Sequence, residues 1–445
     1  MPLLIGVGGS GQHVALAAAR LARLGAWPRS DALLLDADQG SELTRELLTF
    51  GGLASPGDHP LGTVEIVAPL PPELGPQATF GELFVEPGAG PSPLFEAFFD
   101  AASAGVQVQR GMFGNPAVGA TVFGHFAGER MDGVLHKAAR ATAIGVTGSF
   151  VGGTGAGLQH ALLRSLAGRG LSGRTALVGL LPWHEAPAHT AGEQPLSEGS
   201  MSRNALFGAE YLFATSRHFA QSSALIGVPA GAPPWLSRVS VKEGRNAEYP
   251  HPLHAFACYL FLVGAEAAVV SDRRGAVNTL VLDPDDRGWL LRQPWQGGVS
   301  LARRAQRARG KLALLRFLAG AEPQFRSTFN WIGGAARDTY SAALVDSLKA
   351  NKAPSRPPAA MVAPIWADFA REAAQLEHAL DWLRGLFGEE PAPDALRAIE
   401  AAPQALVRTA ADAPRLPEAG APASPAQLSA WFSAALDRAL AARLP

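Results

Sequence analysis

The first half of the chain alternates short, unbroken apolar runs with longer alanine- and leucine-rich stretches, and glycines sit where one gives way to the other. Residues 3–7 (Leu-Leu-Ile-Gly-Val) read as a buried strand, Gly8, Gly9, Ser10 and Gly11 as a turn, and Gln12 to Leu24 as an alanine-rich helix. Ala32 to Leu35 reads as a second buried strand, ending at Asp36-Ala37-Asp38. Strand, glycine turn, helix, strand is the βαβ unit of a parallel sheet. The same signals predict strands at Gly62 to Val67, Thr142 to Val146, Ala176 to Leu181 and Ala224 to Val228. Helices are predicted at Gly157 to Ala167 and Met201 to Ala220. Several strands end in glycine or polar residues, where open α/β sheets bind ligands.

The second half carries a different pattern. Pro250 to Val270 reads as a long, mostly buried helix, and strand signals fade beyond Val299. Leu301 to Leu318, Ala335 to Lys349, Ile365 to Phe387 and Pro425 to Leu444 have helical spacing. Proline-rich breaks at Pro354 to Pro364 and Ala411 to Pro425 read as linkers. The expected organisation is an α/β parallel-sheet domain over 1–249, a helix and loop over 250–299, and a mainly helical region over 300–445. No repeat of solenoid period is visible.

Composition narrows the classes. The 445 residues are 47% hydrophobic and 17% charged, with a net charge of −1. That is ordinary for a folded protein and gives no bulk attraction to nucleic acid or to an anionic membrane. Five of the 38 basic residues are lysine, which fits a GC-rich genome better than a binding signal. The lone Cys258 excludes an internal disulfide and a paired-cysteine zinc site, and no metal-ligand set stands out. Met1-Pro-Leu-Leu-Ile runs into glycine too soon for an export signal, and the apolar run Ala255 to Val263 is too short to span a bilayer. A cytoplasmic protein is expected.

Three glycine-bearing loops carry the candidate chemistry. The first, Gly6-Val-Gly8-Gly9-Ser10-Gly11, lets backbone approach a phosphate while the following helix offers free N–H groups. Its letters also satisfy the dinucleotide fingerprint, with Asp36 near the ribose-binding acid's distance, and a tight structural turn gives the same pattern. The second, Thr147-Gly-Ser-Phe-Val-Gly152-Gly153-Thr154-Gly155-Ala156-Gly157, follows an apolar strand and opens a helix. The third is Gly114-Asn115-Pro116-Ala-Val-Gly119.

Together these loops resemble the tubulin and FtsZ superfamily over roughly residues 1–290. The second is similar to its G-G-G-T-G-[ST]-G signature, with Val151 and Ala156 as departures, and the third to G-A-N-P-E-V-G. The first resembles I-G-V-G-G-x-G-G-N, with Gln12 and His13 in the last two places. Asp36-Ala37-Asp38 falls where FtsZ has its N-T-D loop. The resemblance implies a tubulin-like domain binding GTP or GDP, with Mg2+, through Gly8, Gly9, Ser10, Gly11, Gln12, Asp36, Asp38, Gly114, Asn115, Pro116 and Gly152, Gly153, Thr154, Gly155, Ala156 and Gly157.

The resemblance also implies a ribose contact at Glu185, which reads equally as a surface carboxylate on a turn. It places Tyr249 where the family stacks an aromatic on guanine. Leu253 replaces the base-reading amide or carboxylate, and His254 is the neighbouring substitute. Gly275, Asn278 and Asp283 match the loop that completes a neighbouring subunit's site, with Leu280 replacing its middle acid. There Asp283 would polarise the attacking water. Thr279 to Leu282 reads alternatively as a strand, with Asp283-Pro-Asp-Asp as its exit turn.

The implied function is a GTPase that assembles head to tail. The alternative is a non-polymerising GTP-binding switch or scaffold whose helical half docks a protein partner; an NAD-dependent oxidoreductase is a third reading. His251 and His254 read as helix-start histidines near solvent, Ser10 and Ser149 lack the partners of a nucleophile, and the arginines of Leu301 to Arg309 read as a solvated helix face.

Overall fold

The computed structural model describes residues 1–36, 42–50, 59–71, 74–75, 77–84, 93–108, 115–126, 128–150, 152–181, 198–227, 254–258, 277–281, 287–292, 294–295, 299–320, 359–411 and 425–444. They form two compact units. The first runs from Met1 to Arg287 apart from Arg23–Ala26 and Gly51–Leu53; the second joins those two segments to Gly288–Pro445.

The first unit is α/β and Rossmann-like. Seven strands, β1 (Leu3–Val7), β2 (Asp31–Leu35), β3 (Val64–Val67), β4 (Ile144–Ser149), β5 (Thr175–Leu180), β6 (Ser222–Gly227) and β7 (Val277–Val281), form one sheet in the order β3-β2-β1-β4-β5-β6-β7. Each neighbouring pair is parallel; Val7 lies beside Gly148 and Ser149 beside Leu180. Helices α1 (Gly8–Arg23), α2 (Glu42–Leu48), α3 (Pro116–Phe126), α4 (Gly128–Arg140), α5 (Gly153–Gly168) and α6 (Glu198–Phe219) make up most of the rest.

Continuous apolar strands belong to a sheet covered on both faces. Leu3, Ile5, Val7, Leu33, Leu35, Ile144 and Val146 share one core with Val122 and Phe123 of α3 and Leu158, Leu162 and Leu166 of α5. The β1-α1-β2 and β4-α5-β5 crossovers leave the centre of the sheet in opposite directions. Right-handed connections therefore set α1 and α5 on opposite faces. On the α1 side, Leu4 and Leu34 are fully buried, and Cys258, in the helical residues 254–258, donates its S–H to the Val14 carbonyl at 2.8 Å. The remainder of the predicted helix Pro250 to Val270 lies outside the described residues.

Both glycine segments differ from their expected form. Gly8–Gly11 is the first turn of α1 rather than a separate turn, and α5 starts at Gly153 rather than Gly157. Glycine costs a helix about 1 kcal/mol relative to alanine, so propensity alone places these residues outside it. Close packing overrides propensity at both positions, as the site geometry below shows.

The second unit contains a short antiparallel pair, β8 (Pro294–Trp295) with β9 (Val299–Ser300), and helices α7 (Leu301–Gly320), α8 (Ala359–Phe387), α9 (Asp394–Ala401), α10 (Pro403–Ala411) and α11 (Pro425–Arg443). Leu314, Leu318, Phe369, Leu376, Leu396, Val407, Phe432 and Leu436 are buried in it, with the Phe369 and Phe432 rings 5.9 Å apart. Helix α8 begins at Ala359, so Pro364 falls inside it and not in a linker. The predicted helix Ala335 to Lys349 lies outside the described residues.

At the arginine-rich start of α7, Arg303 is exposed as expected of a solvated face, but Arg307 and Arg309 are engaged within the unit. Arg309 pairs with Glu389 at 3.1 Å and Glu400 at 3.0 Å, Arg316 pairs with Glu377, and Arg307 donates to the Leu444 carbonyl at 2.7 Å. Lys311 sits 2.8 Å from both Glu372 and Asp437. The basic side chains clamp α7 to its neighbours within this unit.

Candidate phosphate site at the centre of the sheet

The chain builds β1, β2 and β3 toward one side of the sheet and then returns to place β4 on the other side of β1. Crevices at such switch points, outside the carboxyl ends of the strands, are where open α/β sheets bind ligands. Helices α1 and α5 both start there, one directly after β1 and the other just after β4.

Their first turns touch. Gly8 has φ +68°, a left-handed conformation that side chains rarely tolerate. A β-carbon on it would stand 3.1 Å from the Gly155 nitrogen. Gly155 is pressed in turn on β4, where a β-carbon would meet the Ser149 carbonyl at 2.8 Å. Gly157 lies against α3, where a β-carbon would meet the Ala120 nitrogen at 2.5 Å. These glycines are explained by backbone packing. Gly9 and Gly152 are not: a β-carbon at either finds nothing within 4 Å, and Gly152 has φ −75°.

The first N–H groups of a helix have no acceptor within it and carry the positive end of its dipole. Neither α1 nor α5 has an acidic residue in its first turn, and the Gly152 N-cap provides no side-chain acceptor. Thr154, in the first turn of α5, is 4% exposed and its hydroxyl has no hydrogen-bond partner. The arrangement is a donor-rich cradle suited to an anion with several oxygens.

Asp36 and Gln12 are joined at the end of β2. Gln12 Nε2 donates to Asp36 Oδ2 at 2.8 Å, and Thr44 Oγ1 donates to Gln12 Oε1 at 2.7 Å. All three side chains are buried. Ser10 is partly exposed on the first turn of α1, and Gly11 and Ala156 are buried in the first turns of α1 and α5. Asn115 caps α3, its Oδ1 accepting from the Val118 N–H at 3.2 Å, and Pro116 takes the first helical position. Both have a local helix-start role. The packing of Gly157 on Gly119 and Ala120 brings α3 alongside α5.

Asp38, Gly114, Val151, Glu185, Tyr249, Leu253 and Asp283 lie outside the described residues. Val277–Val281 forms β7, parallel to β6, so Asn278 and Leu280 are strand residues. His254 is 1% exposed and its ring stacks on His13 at 5.2 Å, which corrects the expectation of a histidine near solvent.

Two residues outside the motif letters support the second loop. Phe150 is fully buried between β4 and the Gly152 cap, and Gln159 Nε2 donates to the Ser149 carbonyl at 3.2 Å. A glutamine on the buried face of an otherwise apolar helix was the available signal for the second. His160, stacked on Phe150 at 5.9 Å and edge-on to Tyr211 at 4.2 Å, is held by burial at a pKa of about 4. Burial also pushes the Cys258 thiol well above its ordinary value.

Away from this site, the second unit has a cleft of about 480 Å³ lined by Arg309, Leu312, Arg316, Leu380, Arg384 and Glu400. Its arginines are paired with neighbouring carboxylates. Among the described residues, no His, Cys, Asp and Glu cluster is arranged to hold a metal, and no helix is long and apolar enough to cross a membrane. A scan against protein-family models finds no match, and a search of curated proteins finds none either.

Proposed function

We propose that the chain is a tubulin/FtsZ-like protein that binds GTP or GDP at the switch point between β1 and β4. The observation that carries this reading is the meeting of two glycine-rich helix starts at Gly8 and Gly155, with open space at Gly9 and Gly152. A single nucleotide pyrophosphate needs one such helix start, and two adjoining ones suit a longer phosphate chain. The unpaired Thr154 hydroxyl supports the same reading by supplying a donor within the second loop. Mg2+ is usually held by one or two carboxylates together with phosphate oxygens; Asp36 stands at this end of the sheet and Asp38 follows it in sequence. In the proposed complex, the helix starts would bind and orient the phosphates, and Asp283 of an adjoining copy would polarise water in a head-to-tail assembly.

The observed β7 favours a second reading, in which the chain binds GTP as a switch or scaffold without polymerising. Asn278 and Leu280 lie in a parallel strand, where the resemblance implies a loop. The helical second unit would then dock a protein partner.

Chromatography of nucleotide released by heat from the purified protein tests the shared claim. GDP or GTP supports it. NAD in its place, or protein that arrives empty and fails to bind GTP in calorimetry, removes it. Gly153→Asp sets a carboxylate against the phosphates and should abolish binding. Pelleting with GTP, followed by negative-stain microscopy, separates the two readings: filaments that persist in Asp283→Ala while turnover stops support the polymerising GTPase, and their absence at high protein concentration supports the switch.

A further inference from the structure

Strand β4 runs past the end of β1. Val7, the last residue of β1, lies beside Gly148, so Ser149 has no strand residue opposite it on that side. On the other side, the Phe150 N–H donates to the Leu180 carbonyl of β5 at 3.1 Å. The peptide between Ser149 and Phe150 is trans, and the C=O and N–H of a trans peptide point in opposite directions. The Ser149 carbonyl is therefore turned toward β1, at the switch point where that strand has already given way to α1. An acceptor there works against an anion site, because it repels the same oxygens that the helix N–H groups attract.

Gln159 takes up this acceptor. It lies in the second turn of α5 with no exposed surface, and its Nε2 donates to the Ser149 carbonyl at 3.2 Å. Two glycines permit the approach. A β-carbon on Gly148 would stand 2.6 Å from that Nε2, and one on Gly155 would stand 2.8 Å from the Ser149 oxygen. Only the donor end of the amide is used: among the described residues, the Gln159 Oε1 has no hydrogen-bond partner. A buried amide oxygen without a partner is costly, and an apolar side chain of similar length would avoid that cost. Leu158, Leu162 and Leu163 fill neighbouring buried positions of the same helix in that way. The fold therefore gains little from an amide here, since one long hydrogen bond is set against one orphaned oxygen.

We propose that Gln159 is a positioning residue for the anion site between β1 and β4. It does not touch the ligand. It acts through Ser149, engaging the carbonyl that strand geometry turns toward the crevice and keeping it directed beneath α5. The N–H groups at the starts of α1 and α5 then face the phosphates without a competing acceptor beside them. The inference rests on the reading of this crevice as a phosphate site, and it adds to that site a residue that the glycine motifs do not contain.

Calorimetric titration of the full chain with GTP, with thermal melting alongside, tests it. Gln159→Met keeps the length of the side chain but cannot donate. It should melt close to wild type, because it gives up one long hydrogen bond and removes the orphaned oxygen together. Its GTP affinity should fall about tenfold. Gln159→Glu has nearly the shape of the amide; its protonated form can donate to the carbonyl and its carboxylate cannot. Measured against the wild-type pH profile, its affinity should approach wild type near about pH 5 and decline as the buried carboxyl ionises at higher pH. Wild-type GTP affinity in Gln159→Met overturns the proposal, whatever that variant's melting temperature. Gln159→Glu protein that binds no better than Gln159→Met at any pH overturns it as well. If Gln159→Met melts lower and also binds more weakly, recovery in Gln159→Glu at low pH supports the donor role. A wild-type chain that binds neither GTP nor inorganic pyrophosphate removes the phosphate reading and this role with it, a result distinct from unchanged affinity in the variant.

Discussion

The ring of Phe150 occupies the space where Gly179 has no side chain. A β-carbon on Gly179 would stand 2.7 Å from Cζ of Phe150, and one on Gly208 would stand 2.8 Å from Cγ of the same ring. Phe150 is thus wedged between β5 and α6, one residue after β4 ends and two before the Gly152 cap.

Gly179→Ala forces that ring out of its seat, since neither β5 nor the buried phenyl group has room to yield. Overpacking of this kind costs about 1–3 kcal/mol. Thermal unfolding should show a correspondingly lowered first transition. Phe150→Ala empties the same site and should cost about 3–5 kcal/mol. An unchanged melting curve for either variant would remove the wedge.

The Thr44–Gln12–Asp36 chain predicts an order of effects. Gln12→Leu leaves a buried carboxylate oxygen and a buried hydroxyl without this partner, costing up to about 3 kcal/mol. Thr44→Val removes one neutral hydrogen bond and should cost about 1 kcal/mol. Urea denaturation of the two variants should rank them in that order; equal effects would mean that the amide does not bridge the other two.

Strands β1 to β6 and the long helices α1, α5, α6, α7, α8 and α11 were legible because continuous apolar runs, glycine punctuation and helical spacing agree over them. The helix starts were not. Gly8 and Gly153 look like loop residues by propensity, and only the approach of Gly8 to Gly155 and of Gly155 to Ser149 explains why they lie in helices. The Asn115-Pro116 pair was visible as a motif, but its capping of α3 emerges only from the Asn115 to Val118 hydrogen bond. Arg307 and Arg309 of α7 read as solvent-facing because their partners, Glu389, Glu400 and Leu444, lie far along the sequence. The Phe150 seat was hidden for the same reason, since Gly179 and Gly208 belong to elements formed later in the chain.

His160 should make the first unit acid-sensitive. Burial lowers its pKa from 6.5 to about 4 in the folded protein. Between those values the unfolded chain takes up a proton that the folded one does not. Its contribution is therefore complete above pH 6.5 and declines as pH falls toward 4, by at most roughly 3 kcal/mol. His59 is also lowered by burial and acts in the same direction. The comparison that isolates His160 is wild type against His160→Phe: the melting temperature of wild type should fall relative to that of the variant as pH drops from 7 to 4.5. Parallel pH profiles would exclude a protonation penalty at this residue.

In the second unit, burial pushes the Glu372 carboxyl up, but Lys311, Arg23 and the Ser433 hydroxyl outweigh it and hold it below its ordinary value. Its stabilising effect is present above the ordinary carboxylate range and disappears as pH falls through the lowered one. Lys311→Met leaves this partly buried carboxylate with one cation fewer and should cost about 1–2 kcal/mol, less than the loss of a fully buried pair. Adding Glu372→Leu to that variant should recover much of the loss, because the uncompensated charge goes with it. A double-mutant cycle on thermal unfolding checks this; simple additivity of the two substitutions would rule out the coupling.

The glycines of the two loops divide into those needed for packing and those whose space is open, and this division separates fold from binding. Gly155→Ala pushes a β-carbon into the Ser149 carbonyl and should destabilise the unit by about 1–3 kcal/mol with or without ligand. Gly9→Ala and Gly152→Ala meet nothing within 4 Å. Alanine restricts the unfolded chain more than glycine does, and at the Gly152 N-cap this offsets alanine's poorer capping, so both should melt close to the wild-type temperature. If a phosphate chain lies against Gly9 and Gly152, the added methyl groups stand where its oxygens approach, and GTP affinity should fall by about tenfold, or 1.4 kcal/mol. Calorimetric titration with GTP alongside thermal melting reads both effects. Lost affinity at preserved stability marks these residues as ligand-facing, while full affinity in both variants would move the nucleotide away from this crevice.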